Sequence, residues 1–86
     1  MTQIRINQQD FNDLAWSSMR YALGRKTYIT GVISNLLIRN VDKIFPDVRY
    51  RIGEEIAIAI NLGHAGMEMD VKEWKKVLKA FSEIPA

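Results

Sequence analysis

The chain has 86 residues, 48% of them hydrophobic and 26% charged, which fits one small globular domain and excludes a disordered tail. Twelve Lys and Arg against ten Asp and Glu leave only +2, too little for a polybasic surface, and the absence of cysteine excludes disulfides, thiolate nucleophiles and sulfur-ligated metal. The sequence has no apolar run of membrane-spanning length and no signal-peptide core, so a soluble cytoplasmic protein is expected.

The composition and periodicity predict an all-α fold: a bundle of about four helices over 10–86, preceded by an extended arm over 1–9. The arm is read from Gln3, Asn7, Gln8 and Gln9, with Ile4 and Ile6 alternating as in a short extended segment. Asn7 or Asp10 can cap the first helix, whose core stripe is Phe11, Leu14, Ala15, Ser18, Met19 and Ala22. Trp16 and Leu23 form a second apolar face, and Gly24 suits the left-handed position that closes a helix.

Thr30 is the expected cap of the second helix, with Ile29 as a staple before it. Its stripe of Ile33, Leu36, Leu37, Val41 and Ile44 runs to Pro46. The third segment, from about Asp47, carries Val48, Ile52, Ile56, Ala59 and Ile60 at helical spacing, although Ile56–Ile60 also alternates like a strand. Its length favours a helix, despite Gly53 at a cost of about 1 kcal/mol. Asn61–Gly66 reads as a loop, with Gly63 or Gly66 ending the helix. Asp70 and Glu73 form a capping-box pattern for the last helix, which sets Val71, Trp74, Val77, Leu78 and Phe81 on one face and Lys72, Lys75, Lys76 and Lys79 on the other, with Pro85 beyond its end.

Catalytic chemistry finds little support. His64 is the sole imidazole, no Cys accompanies it, and no carboxylate loop for a cation exists, so no metal site, cofactor or enzymatic activity is expected. Glu54 and Glu55 are adjacent on a helix and diverge by about 100°, which suits solvation or pairing with Arg51 and Arg49 rather than a shared substrate.

Charge placement says more than charge sum. From Leu14 to Val41 there is no acidic residue, while Arg20, Arg25, Lys26 and Arg39 all lie there. Arg20 falls on the last turn of the first helix, Arg25 and Lys26 in the following loop, and Thr27, Tyr28 and Thr30 supply hydroxyls where the second helix offers unpaired N–H groups. Cations, hydroxyls and a helix start in one place suit an anion, and Tyr21 and Tyr28 offer ring faces. The ligand-binding candidates are therefore Arg20, Arg25, Lys26, Thr27, Tyr28 and Thr30. The plainer alternative is a solvated turn in which Arg20 only neutralises the carboxyl end of its own helix. Four lysines on the last helix are few for tracking a phosphate backbone, and Glu54–Glu55 would repel DNA from the third helix, so nucleic acid is the weaker partner. Trp16, Leu23, Ile38, Ile58 and Leu62 lie outside the main stripes and are the candidate interface of a homodimer.

The nonapeptide Arg20-Tyr21-Ala22-Leu23-Gly24-Arg25-Lys26-Thr27-Tyr28 resembles a group of small phage and prophage proteins. In these, a helix ending in R-Y-A-L-G-R-x-T-Y precedes an apolar helix and, near the end, a G-M-x-x-D-x-x-x-W pattern, matched here by Gly66 to Trp74. The resemblance spans 11–80, with Val41 standing where the group carries an aromatic. It implies a non-enzymatic accessory protein of the infected host's cytoplasm that counters host defence. The first expectation is sequestration of an anionic nucleotide signal; the alternatives are direct inhibition of a defence protein, as anti-CRISPR proteins do, and nucleic-acid binding.

Overall fold

A computed structural model describes residues 7–25, 27–62 and 70–84. The expected arm before Asn7, Lys26, the loop with Gly63, His64 and Gly66, and Pro85 lie outside the described residues. The fold is all-α: α1 (Gln8–Ala22), α2 (Tyr28–Arg39), α3 (Pro46–Leu62) and α4 (Val71–Ser82), with a short 3-10 turn at Val41–Lys43 between α2 and α3. Both α1 and α4 pack on α2 and on α3. Met19, Ile52, Ile56, Trp74 and Val77 are fully enclosed where the four helices meet.

Asn7 caps α1, its side chain accepting from the Asp10 N–H at 2.7 Å. Gln8 and Gln9 therefore belong to the helix rather than to an arm ending at residue 9. The buried stripe of α1 is Asn12, Ala15, Met19 and Ala22, while the expected core residue Leu14 is 53% exposed. Asn12 takes the inward position because the chain beyond the 3-10 turn needs its amide. Its Nδ2 donates to the Gln8 carbonyl at 2.7 Å and the Lys43 carbonyl at 3.3 Å, and its Oδ1 accepts from the Phe45 N–H at 2.7 Å. Phe45 precedes Pro46, so its extended backbone leaves an N–H that no helix would satisfy.

Gly24 adopts φ 87°, the left-handed geometry expected at the close of α1. Thr27, not Thr30, is the N-cap of α2. Thr30 sits one turn inside, fully buried, where its hydroxyl accepts from the Thr27 N–H at 3.4 Å and donates to the Arg25 carbonyl at 2.7 Å. Ile29 is accordingly a residue of the first turn rather than a staple before it. At its far end α2 stops at Arg39, short of Pro46, because Asn40 turns back to cap it, donating to the Leu36 carbonyl at 2.9 Å. Ile44 still reaches the core, but Leu36 is half exposed rather than part of the stripe.

The alternating Ile56–Ile60 segment is helical, and Pro46 occupies the first position of α3, where its missing N–H costs nothing. Asp70 caps α4 by accepting from the Glu73 N–H at 3.3 Å. The Glu73 carboxylate turns outward from the cap to Ser34 of α2 at 3.0 Å and Lys76 at 3.2 Å. These bonds favour its charged form and hold its pKa below the ordinary glutamate value, Ser34 contributing most. Ser34 is fully buried, so this contact ties α2 to α4 across their packing line. The buried indole N–H of Trp74 meets no acceptor among the described residues.

Candidate binding surface

The last turn of α1, the Gly24 bend and the first turn of α2 bring Tyr21, Arg25, Thr27 and Tyr28 to one exposed corner. The Arg25 guanidinium folds over the Tyr21 ring, 4.4 Å from its centroid, and donates to the Tyr21 carbonyl, one of the open acceptors at the helix end. It makes no salt bridge among the described residues. Tyr28 is 82% exposed, and the first turn of α2 carries no acid. The corner thus offers a cation, two ring faces and the positive end of a helix dipole.

Two of the sequence candidates are committed elsewhere. Arg20 faces α3, where its Nη1 meets Glu55 Oε2 at 2.9 Å. There it flanks the Trp16 ring with Arg51, the guanidinium carbons lying 5.9 and 4.9 Å from the ring centroid. Glu55 thus pairs across helices with Arg20, instead of with Arg49 or Arg51, and Arg49 donates to the Val41 carbonyl at 3.1 Å. Thr30 spends its hydroxyl on the backbone of the bend, which orients the loop carrying Arg25. The junction therefore assembles Arg25, Thr27 and Tyr28, with Tyr21 added; Lys26 lies outside the described residues.

Of the interface candidates, Trp16, Leu23 and Ile38 are half-buried and pack against the core. Ile58 and Leu62 remain exposed on α3. Lys72, Lys75, Lys76 and Lys79 are all exposed on the outer face of α4. An open groove of about 500 Å³ between α3 and α4, lined by Tyr50, Gly53, Leu78, Phe81 and Ile84 among others, was not legible in the sequence. Only the crossing of two helices at Gly53 makes it, and the nearest sequence signal was that glycine. Among the described residues no three His, Cys, Asp or Glu side chains come together as a metal site, and no helix is long and apolar enough to cross a membrane.

No family profile, curated protein or solved structure matches this chain.

Proposed function

We propose that the protein is a non-enzymatic binding protein that captures an anionic nucleotide at the α1–α2 junction. The observation that carries this reading is Arg25, laid on the Tyr21 ring at the start of α2 without a carboxylate partner among the described residues. A phosphate approaching there meets a guanidinium and amide donors of the first helical turn, and a base has Tyr28 as a stacking face. Thr27 adds a hydroxyl at the same edge. Arg20 is committed to Glu55 of α3 in an exposed pair worth about 0–1 kcal/mol and stands outside the contact set. The resemblance of the Arg20–Tyr28 nonapeptide to phage proteins supplies the biological setting: sequestration of a host-defence signal inside the infected cell.

The test is thermal unfolding and calorimetry with a panel of mono-, di- and cyclic nucleotides. A ligand at about 100 times its Kd stabilises the native state by roughly 2.7 kcal/mol, which a melting curve resolves. Arg25→Ala should weaken binding at least about tenfold while lowering the melting temperature of the free protein only slightly, through the lost contacts to Tyr21. A panel without any stabilising nucleotide, or an unchanged affinity for that variant, refutes the reading.

A second reading, direct inhibition of a defence protein, is favoured by the apolar surface that α1 and α2 leave outside the core. Leu14, Tyr21, Tyr28, Val32 and Leu36 are all at least half exposed. Association through Ile58 and Leu62 into a homodimer belongs to the same reading, and light scattering at micromolar concentration decides it by mass.

A further inference from the structure

The helix α2 is apolar on two faces. Its buried face includes Thr30 and Ser34 beside Ile33 and Leu37, whereas Tyr28, Val32 and Leu36 form an outward ridge at successive four-residue steps, 82%, 50% and 51% exposed. A surface helix ordinarily confines its apolar residues to the one face that meets the core. A contiguous exposed apolar ridge rimmed by polar groups is the usual mark of an interaction surface. Beside it Val32, Asn35, Leu36 and Arg39 line a shallow cleft of about 230 Å³.

Charge selects the occupant. Arg39 is the sole charged residue within α2 and stands at its carboxyl end, and Arg25 precedes its amino end. Neither makes a salt bridge among the described residues. The ridge therefore ends in a cation, Arg39, that lines the same cleft as Val32 and Leu36, whereas the Arg25 guanidinium lies over the Tyr21 ring of α1. No acid lies within α2; the Glu73 carboxylate of α4 meets Ser34 on the buried side, and Asp42 follows past the carboxyl end.

We propose that this ridge docks an acidic amphipathic helix of a partner protein, with apolar side chains over Val32 and Leu36 and a carboxylate toward Arg39. A second copy of this chain is a poor occupant. Antiparallel pairing of two α2 helices lays Arg39 of one against the positive helix start of the other, and parallel pairing sets Arg39 against its equal. Nucleic acid supplies carboxylate-like charge but no apolar ridge. The inference stands apart from the nucleotide reading, because Leu36 and Arg39 lie more than two turns from Tyr28.

Two synthetic amphipathic peptides with the same leucine ridge, one flanked by glutamates and one by lysines, test it against the isotope-labelled full chain by NMR titration. The glutamate peptide should shift the amides of Val32, Asn35, Leu36 and Arg39 and bind at least about tenfold tighter than the lysine peptide, weakening as salt is raised. Leu36→Asp should remove that binding, and Arg39→Glu should narrow or invert the preference, both with helicity unchanged by circular dichroism. Equal binding of the two peptides, or shifts confined to the α3–α4 groove, overturns the proposal. So does a Leu36-dependent dimer in light scattering, or binding to anionic phospholipid vesicles and to neither peptide.

Discussion

The two ends of α1 treat polar groups in opposite ways. At the amino end Asn12 is buried and its amide is consumed: two carbonyls accept from it and the Phe45 N–H donates to it. At the carboxyl end Arg25 and Tyr28 stay exposed, and among the described residues Arg25 is held by the ring and carbonyl of Tyr21 in α1. The first arrangement fixes where the chain turns from α2 into α3. The second leaves donors and ring faces in water, where exchanging them for a ligand costs little desolvation. Binding capacity in so small a protein resides where the fold has not already used the polar atoms.

This contrast can be broken most forcefully at Asn12. Asn12→Ala leaves the Phe45 N–H and the Lys43 carbonyl without that partner and should cost roughly 2–3 kcal/mol in urea unfolding. A loss below about 0.5 kcal/mol would show that the amino end is not pinned by this residue.

Ser34→Ala should cost roughly 1–2 kcal/mol, since it removes the donor that Glu73 shares between α2 and α4. The same pair gives stability a pH dependence. The pKa of Glu73 is lower in the folded chain, chiefly through Ser34 and then Lys76, so the folded state binds this proton more weakly than the unfolded chain does. Its contribution is present above the ordinary glutamate pKa and is lost as pH falls through the folded value. The urea midpoint should therefore drop on acidification through that window, and Glu73→Gln should flatten that part of the profile.

Gly53→Ala sharpens the comparison in the other direction. A Cβ there would meet Leu78 Cδ2 at 3.7 Å, an ordinary contact, so the gain in helix propensity should stabilise α3 by roughly 0.5–1 kcal/mol. The smallest effect is expected at the exposed Arg20–Glu55 pair. A double-mutant cycle there should return a coupling of about 0–1 kcal/mol that fades with salt, and a larger value would mean that Arg20 is a structural residue of the α1–α3 contact.

Helical periodicity exposed the four helices, the left-handed Gly24 and the Asp70 cap, since each rests on interactions within a few residues of itself. It misplaced Leu14 and Leu36 because hydrophobicity cannot tell which of two apolar faces meets the core. It missed Asn12 and Ser34 because their partners are 31 to 39 residues away. The binding corner was half legible: the run without acids announced it, yet Arg20 left it for Glu55, 35 residues distant.

The sequence by itself determined the helical class, the close of α1 at Gly24, the Asp70 start of α4 and the positive bias of the α1–α2 region, because local backbone preference and net charge need no neighbours to act. The tertiary structure alone decided which polar atoms became fasteners and which stayed open to solvent. Those roles follow from where distant segments meet, and a hydroxyl or guanidinium bonded across such a meeting is no longer free to receive a ligand.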